Sequence, residues 1–311
     1  MTLLNFKPVT LLDGDKIKPF LKKYGEGSCQ HSFVSMVSLF DKYGDSFCIY
    51  AGFLFILRSG LCSDSERVYL SPFGEGDLGR AFELLFEDAA YYNKKIRFHT
   101  LTESAKCFLV QNFPGKFFFT PRRDYFEYIY SADKMRSFSS SELRKKRWEA
   151  KTIRRKYGDR LTSEEITEEI IPEILEFEEK WVLKSLETHD ENAILSEKKM
   201  IYFQLEHFKE LGITGIAARI DGKIQGFAYG TDLGGGYYDT IIEKGDIEEK
   251  NIYRYLIQEA ARKNMTSFLF VNREEDVGVE GLRRAKTAYC PEILLQKFDA
   301  VERVNNDENE F

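Results

Sequence analysis

The sequence is poor in the residues from which covalent and metal frameworks are built. Its 311 residues include five cysteines and four histidines. The cysteines are odd in number and form no CxxC pair, which favours reduced thiols in a cytosolic protein over a disulfide framework. The histidines show no HExxH or other close ligand spacing, so no metal site is predicted. These residues are Cys29, Cys48, Cys62, Cys107 and Cys290, and His31, His99, His189 and His207.

Long apolar runs are also lacking. The longest, Cys48–Leu57, has ten residues, whereas a helix needs about 20 to cross a bilayer. We therefore expect this run to form a buried pair of strands that turns near Gly52. The first residues lack the uninterrupted apolar core of a signal peptide. These features predict a cytoplasmic protein without a membrane-spanning segment, and they leave open a peripheral contact with a membrane surface.

Charge of one sign is not in large excess. There are 45 basic residues against 51 acidic ones, which gives a formal net charge of −6. Recognition of nucleic acid or anionic lipid must therefore rest on a local patch. The composition, 43% hydrophobic and 14% aromatic, is enough to fill real cores, and the length suits about two domains. Nothing in the sequence indicates an oligomeric state.

The order of predicted elements repeats along the chain. Each half reads as hairpin, strand, Gly-Asp loop, helix, strand, helix and strand, and an Asp-Gly turn at residues 221–222 marks the second hairpin. Strands at Phe126–Tyr130 and Ile293–Phe298 close the two halves. This order is that of the GNAT acyltransferase fold. It predicts an α/β (α+β) architecture of two tandem GNAT-like domains, each a mixed central sheet flanked by helices.

The predicted boundaries follow from this repeat. We place an N-terminal GNAT-like domain at residues 1–135 and a C-terminal one at residues 136–302, which opens with a basic amphipathic helix. The polar, acidic tail at residues 303–311 is predicted to be disordered.

A densely cationic segment opens the second half. Eight Lys and Arg residues lie within Arg144–Lys156, and at 100° per residue most fall on one side with a single Trp, opposite an apolar stripe. This face suits the phosphates of tRNA or of an anionic phospholipid, with the Trp against a base or at a lipid interface. The alternative is a solvated face paired with the protein's own acidic residues. The predicted phosphate-binding residues are Arg144, Arg147, Trp148, Lys151, Arg154 and Arg155.

Charged residues also collect where two predicted strands of the second half end. One strand ends at Glu243-Lys244, and the other delivers Asn272–Asp276 in succession before a helix with further cations. Ligands of α/β proteins collect at the carboxyl ends of strands, which favours a site. The alternative is an Arg–carboxylate network that only fixes the loop. The predicted catalytic residues are Glu243, Arg273, Asp276, Lys286 and Tyr289, and the predicted substrate-binding residues are Lys244, Asn272, Glu274 and Arg283.

Several runs carry a resemblance to a known family. They are IIEKGD, VNREEDVGVEGLRRAKTAYCP and ILLQKF in the last 75 residues, with EYIYSADKM and LRKKRW before them. Over about residues 20–298 the chain resembles the C-terminal domain family of phosphatidylglycerol lysyltransferase. This resemblance implies a tandem GNAT fold and transfer of an aminoacyl group from aminoacyl-tRNA to phosphatidylglycerol. The chain departs from the family in lacking a long N-terminal membrane region, in its acidic helix entrance at residues 245–249, and in Trp148 where many relatives carry Asn.

The donor is predicted to be an aminoacyl-tRNA. Its ester is already activated, so the enzyme needs positioning and oxyanion stabilisation more than a covalent nucleophile. We expect Glu243 or Asp276 to bind the donor's α-ammonium group or to act as general base. Arg273 and Lys286 would face developing negative charge or an anionic acceptor, and Tyr289 could relay a proton.

Acetyl-CoA is a less favoured donor. Its pyrophosphate binds at a Gly-rich helix entrance in ordinary GNAT enzymes, and here Asp246, Glu248 and Glu249 would repel it. The first half has a Gly-rich but also acidic turn at residues 74–80, for which a tight strand–helix connection is sufficient reason. Two alternatives stay open: a non-catalytic module that binds an anionic partner, and a CoA-dependent N-acyltransferase.

Overall fold

The computed structural model describes residues 4–187, 190–249 and 251–303. The strands are β1 (Lys7–Pro8), β2 (Asp45–Tyr50), β3 (Phe53–Arg58), β4 (Glu66–Tyr69), β5 (Phe73–Gly74), β6 (Lys95–Leu101), β7 (Phe117–Pro121), β8 (Glu127–Ser131), β9 (Leu161–Glu165), β10 (Ile213–Ile220), β11 (Lys223–Gly234), β12 (Tyr237–Gly245), β13 (Phe270–Glu275), β14 (Ile293–Leu295) and β15 (Phe298–Glu302). The helices are α1 (Gly14–Tyr24), α2 (Phe33–Ser38), α3 (Phe40–Tyr43), α4 (Leu78–Tyr91), α5 (Glu103–Asn112), α6 (Ala132–Ser137), α7 (Arg144–Tyr157), α8 (Ile171–Ser185), α9 (Glu191–Glu206), α10 (Phe208–Leu211), α11 (Ile252–Asn264) and α12 (Glu280–Thr287). His189 and most of the predicted tail, residues 304–311, lie outside the described residues.

Both predicted hairpins are present, and their turns have the same chemistry. Ala51 and Gly52 join β2 to β3 with φ of 47° and 82°. Asp221 and Gly222 join β10 to β11 with φ of 52° and 78°. Two successive left-handed residues match the right-handed twist of the strands, which explains the small or turn-forming residues at these positions.

The two sheets have the same strand order but exchange one strand. The first runs β1-β2-β3-β4-β6-β15-β7, with β5 beside β3, and the second, read from its opposite edge, runs β9-β10-β11-β12-β13-β8-β14. The next-to-last strand of each sheet therefore comes from the other half of the chain. The predicted strand near residues 126–130 exists, but it pairs in the second sheet. The predicted strand Ile293–Phe298 is instead two short strands, one in each sheet.

The crossing point of the exchanged strands is held by a buried ion pair. Glu127 begins β8 and Lys297 precedes β15, and their charged groups lie 2.9 Å apart with neither side chain exposed. Glu127 also accepts hydrogen bonds from Ser28 Oγ at 2.7 Å and from Asn272 Nδ2 at 2.5 Å. Sheet membership thus crosses the predicted boundary at residue 135, which stays a prediction about domain limits.

Three apolar clusters bind these layers into one body. The central cluster draws on α1, α2, α8 and α9 and on strands of both sheets. A second packs α7 and α11 against the outer face of the second sheet, and a third packs α4 and α5 against the first sheet. A core shared by both halves explains why neither half buries its sheet alone.

Among the described residues, no helix is long and apolar enough to cross a membrane.

Candidate functional site

The site lies where two parallel strands of the second sheet part. β12 and β13 pair only through Tyr237–Asp239 and Phe270–Asn272. Beyond that point each strand carries an irregularity on its other side: β12 against β11 near Gly230, and β13 against β8 after Asn272. The predicted charged tips, Glu243 on β12 and Asn272–Glu275 on β13, flank the resulting opening.

An ion pair bridges this opening. Arg273 Nε donates to Glu243 Oε1 at 3.1 Å, and Arg273 Nη2 donates to Glu243 Oε2. The guanidinium lies over the Tyr289 ring at 4.7 Å and the Tyr130 ring at 5.6 Å. Burial disfavours the charged guanidinium and by itself would lower the pKa of Arg273. The negative charge of Glu243 outweighs this effect, so the pKa of Arg273 is raised. Its remaining nitrogen, Nη1, is buried and has no hydrogen-bond partner among the described residues.

Lys286 closes the end of β13. Its Nζ donates to the carbonyl oxygens of Arg273 and Glu275, each at 2.5 Å, and its own carbonyl accepts from Tyr130 Oη at 2.7 Å. Burial lowers the pKa of Lys286. The structure therefore brings together Glu243, Arg273, Lys286 and Tyr289, four of the five residues predicted to be catalytic.

Two further cations surround Tyr289 and were not among the predicted residues. Lys146 Nζ lies 4.9 Å from the ring centroid and the Arg254 guanidinium 5.6 Å from it. Burial lowers the pKa of Lys146, with a contribution from the charge of Arg254. Arg254 Nε also donates to Glu149 at 2.9 Å. Lys146 and Glu149 belong to α7, so the basic helix reaches the opening directly. At 100° per residue Lys146 falls on the apolar side of the helix, between Ala150 and Ile153, so helical periodicity could have indicated that its side chain points inward.

The predicted cationic face of α7 divides into two groups. Arg147 donates to the carbonyl of Phe138, and Arg154 donates to Gln258 at 2.8 Å and pairs with Glu259. These two arginines therefore tie the helix to the protein. Arg144, Lys151 and Arg155 are exposed, and Trp148 is 59% exposed. Within the described ranges, these three cations make no ion pair.

Asp276, the fifth predicted catalytic residue, lies in a separate network. Its buried carboxylate accepts hydrogen bonds from Tyr128 Oη at 2.7 Å and from Arg123 Nη1 at 3.0 Å. Arg283 adds two more, at 3.0 and 2.9 Å. Burial would raise the pKa of Asp276, but the hydrogen bonds from Arg283 and Tyr128 hold it well below its usual range. A carboxylate so fully paired is a poor base, which favours the alternative of a network that fixes the loop for Asp276 and Arg283.

Lys244 points to the opposite face of β12 from Glu243. Its Nζ lies 2.7 Å from Glu178, 3.0 Å from Glu197 and 3.6 Å from the centroid of the Trp181 ring. Trp181 in turn borders two clefts of about 500 and 310 Å³, which it shares with Asp246 and Ile247. The smaller cleft extends to Arg254, whose guanidinium lies 5.6 Å from the centroid of the buried Tyr289 ring.

Asn272 and Glu274, both predicted to bind substrate, face the seam between the halves. Asn272 is buried and donates to Gly27 O at 2.9 Å, while its Oδ1 accepts from the backbone N–H of Glu274 at 2.7 Å. Asn272 thus has a positional role. Glu274 lies near Asp239, a buried carboxylate absent from the predicted site. In the described part of the chain no group of three His, Cys, Asp or Glu residues could hold a metal ion.

Solved structures with the same architecture place the fold in a class. A crystal structure of a conserved protein of unknown function from Bacteroides thetaiotaomicron aligns with a TM-score of 0.90 and 28% identity over 97% of this chain and 100% of that one. L-PGS from Bacillus licheniformis aligns with a TM-score of 0.64 and 14% identity over 93% and 91%. The C-terminal domain of a putative lysylphosphatidylglycerol synthetase from Agrobacterium fabrum aligns with a TM-score of 0.62 and 13% identity over 94% and 92%. The chain thus has the tandem GNAT-like fold of these domains.

The sequence places the chain within that class. It matches the family described as phosphatidylglycerol lysyltransferase, C-terminal, over residues 21–301. The chain belongs to this family. No curated protein sequence matches it. Family and fold together support an acyltransferase or aminoacyltransferase type of function.

Proposed function

We propose that this protein transfers an aminoacyl group from aminoacyl-tRNA to a hydroxyl or amine acceptor on a lipid, peptide or small molecule. The observation that carries the proposal is the buried Arg273 Nη1, which has no partner among the described residues although the rest of the guanidinium is fixed by Glu243. A fixed, unpaired donor in a dry site is what oxyanion stabilisation requires.

The reaction follows from this arrangement. The acceptor's nucleophile attacks the ester carbonyl carbon, and the electron pair of the C=O bond moves to its oxygen, which Arg273 Nη1 stabilises. The intermediate then collapses, and the ribose oxygen of the tRNA leaves with a proton. Burial raises the pKa of Tyr289 to about 12, so its phenol stays protonated at neutral pH and can relay the acceptor's proton to the leaving oxygen.

The basic helix supplies the binding component. Arg144, Lys151 and Arg155 are exposed on α7, and Lys146 of the same helix lies at the Tyr289 ring. Phosphates held on the outer side of α7 would thus place the 3′ end of a tRNA near the opening between β12 and β13. The exposed Trp148 offers a surface for base stacking.

The test is transfer from a charged tRNA pool with a labelled amino acid. Purified protein should speed the loss of label from tRNA, and vesicles with phosphatidylglycerol, a free amine or neither should reveal the acceptor. Arg273→Lys keeps the charge but cannot bridge Glu243 and the oxyanion together, so we expect a rate about 10²-fold lower. Arg283→Lys, in the neighbouring Asp276 network, is the matched control and should retain most activity.

Two results would overturn the proposal. One is that the wild-type protein binds charged tRNA but neither deacylates it nor transfers its amino acid, which would favour a binding module. The other is equal activity of the Arg273→Lys and wild-type proteins at unchanged melting temperatures. Labelled acetyl-CoA in place of charged tRNA tests the CoA-dependent alternative in the same assay.

A further inference from the structure

Asp239 carries a buried carboxyl group at the point where β12 and β13 part. Its side chain is 0% exposed, and neither carboxyl oxygen has a hydrogen-bond partner among the described residues. It is the third residue of β12 and the last that pairs with β13 before the strands part. Buried polar groups are nearly always hydrogen-bonded, because removing them from water is costly, so an orphaned buried carboxyl calls for an explanation.

Three other carboxylates share this interior, and two of them are satisfied. Glu127 is paired with Lys297 at 2.9 Å. Glu275 accepts from Gln30 Nε2 at 2.8 Å and from Cys29 Sγ at 3.3 Å. The carboxylate of the third, Glu274, has no hydrogen bond in the described part of the chain. Asp239 and Glu274 act on each other electrostatically, which makes them an unpaired couple at the base of the opening.

Around Asp239 and Glu274 the carboxyl groups outnumber the cations. The positive groups that act on these acids are Lys297, which is bound to Glu127, and Lys286. Lys286 donates to two carbonyl oxygens rather than to a carboxylate. Burial, with added repulsion between the acids, raises the pKa of Asp239 and of Glu274 well above their usual ranges. No other cation among the described residues pairs with these two acids, so the protein by itself relieves this excess by binding protons.

The backbone is bent to hold Glu274 in this position. Its φ is 58°, in the left-handed region that residues other than Gly rarely adopt. The register of β13 against β8 shifts between Asn272 and Glu275, and the Asn272 side chain accepts from the Glu274 N–H at 2.7 Å. Conformational strain of this kind is retained where surrounding structure imposes it, commonly at ligand sites.

We propose that Asp239 and Glu274 bind a primary ammonium group. The spacing of the acidic groups among the described residues does not suit a metal ion. An ammonium group supplies one positive charge and three N–H donors, which answers both the missing hydrogen bonds and the missing charge.

In the proposed reaction this ammonium is the amino group carried by the donor's amino acid, a step that rests on the proposed function. Arg273, which would face the oxyanion, and Glu274 are consecutive residues of β13 and border the parting of β12 and β13 from its two sides. The two carboxylates predicted for this role are otherwise engaged, because Glu243 is held by Arg273 and Asp276 by Arg123 and Arg283. Asp239 and Glu274 are therefore the carboxyl groups that remain to bind the ammonium group.

The test uses small analogues of the aminoacyl end. L-alaninamide carries the ammonium group, and N-acetyl-L-alaninamide is its neutral counterpart. Isothermal titration calorimetry on the full-length protein, at a pH where the amine is protonated, should detect binding of the first and at least about tenfold weaker binding of the second. Asp239→Asn and Glu274→Gln should each weaken alaninamide binding by about tenfold or more. Glu75→Gln, an exposed acid of the first half, is the control and should bind as the wild type does.

Folding of the variants is checked by melting temperature, and Asp239→Asn should not lower it because an amide is less costly to bury than an unpaired carboxylate. Equal binding of the two analogues, wild-type affinity in a folded Asp239→Asn variant, or no binding of alaninamide would each overturn the ammonium site.

The outcomes separate this site from the proposed function. Aminoacyl transfer with an unchanged KM for charged tRNA in Asp239→Asn would remove the ammonium site and leave the function standing. Alaninamide binding that depends on Asp239 in a protein without transferase activity would support the site and remove the function.

Discussion

The openings between parallel strands in the two sheets have the same architecture and different contents. In the first sheet β4 and β6 pair over Glu66–Tyr69 and Lys95–Phe98, as β12 and β13 do in the second. Each later strand bears a left-handed residue near its end, Thr100 with φ of 53° and Glu274 with φ of 58°. Each then pairs with the strand received from the other half. The backbone device is therefore common to both halves.

The side chains at this device differ in how completely they are paired. In the first sheet, Asp299 of the exchanged strand β15 accepts hydrogen bonds from Arg97 at 2.8 Å, Arg122 at 2.8 Å and His99 at 2.9 Å. In the second sheet, the carboxyl groups of Asp239 and Glu274 have no hydrogen-bond partner among the residues that the structure describes. The carboxylate at the first opening is thus paired, whereas those at the second have no such donors among the described residues. The same backbone frame thus occurs in both sheets, and the proposed site lies at the one in the second sheet.

The loops that precede α4 and α11 also differ in their surroundings. In the first half β5 pairs with β3, and Glu75 accepts from Lys23 at 2.8 Å and Tyr24 at 3.0 Å. In the second half the loop at Asp246 borders the clefts beside Trp181. The first entrance is tied to α1, while the second opens onto space that a substrate can enter.

The largest expected effect concerns the exchange that joins the two sheets. Lys297→Met leaves the buried Glu127 without its counter-ion, so we expect a loss of about 3–5 kcal/mol in the free energy of unfolding. Urea unfolding at neutral pH measures it. The double variant Lys297→Met/Glu127→Gln should recover much of the loss. A single variant as stable as the wild type would mean that the crossing ion pair does not hold the exchanged strands.

A smaller effect concerns the pH dependence of stability, which we expect to have opposite signs for Asp299 in the first sheet and Asp239 in the second. Burial by itself would raise the pKa of Asp299, but hydrogen bonds from His99 and Arg97 hold that pKa below its usual range. The stability it contributes is present above the unfolded pKa of about 3.9 and is lost as pH falls through the folded value. Asp299→Asn should therefore cost about 1–3 kcal/mol at pH about 7, because its donors lose a charged acceptor.

Asp239 should behave in the reverse way. Burial raises its pKa in the folded state, so its contribution is present below about 3.9 and is lost as pH rises toward the folded value. At neutral pH Asp239→Asn should leave stability unchanged or increase it. Urea unfolding of both variants between mildly acidic and neutral pH decides the matter, and a loss of stability in Asp239→Asn comparable to that in Asp299→Asn would erase the distinction between the two openings.

The smallest expected effect tests the division of the α7 cations. Lys151→Glu/Arg155→Glu changes exposed groups, so we expect an unchanged melting temperature and weaker tRNA binding. The slope of log K against the logarithm of the salt concentration should become shallower by about 1 for each phosphate that is no longer neutralised. Filter binding at several salt concentrations measures it. Lys16→Glu/Lys95→Glu, equally exposed on the first half, is the matched control, and equal binding by both double variants would exclude α7 as the tRNA surface.

Much of the local structure could be predicted because local physics decides it. The Asp221-Gly222 turn was recognisable from residues that tolerate positive φ. The Cys48–Leu57 run was too short to cross a bilayer and forms the expected strand pair, but only β3 is buried throughout, because Ile49 and Tyr50 of β2 are exposed. The amphipathic pattern predicted α7, yet it could not predict that Arg147 and Arg154 would bind neighbouring elements. Those interactions depend on where α11 and Phe138 lie in the fold, and the helical periodicity of α7 does not predict their positions.

The sequence by itself determined the repeated order of elements, the two turns, the cationic helix and the charged strand tips. Each of these depends on neighbours along the chain and on solvation. The tertiary structure alone decided the strand exchange, the separation of Asp276 from Glu243 and Arg273, and the isolation of Asp239. The reason is that pairing and desolvation are set by residues far apart in sequence: whether a carboxylate is satisfied depends on which donors the fold brings to it.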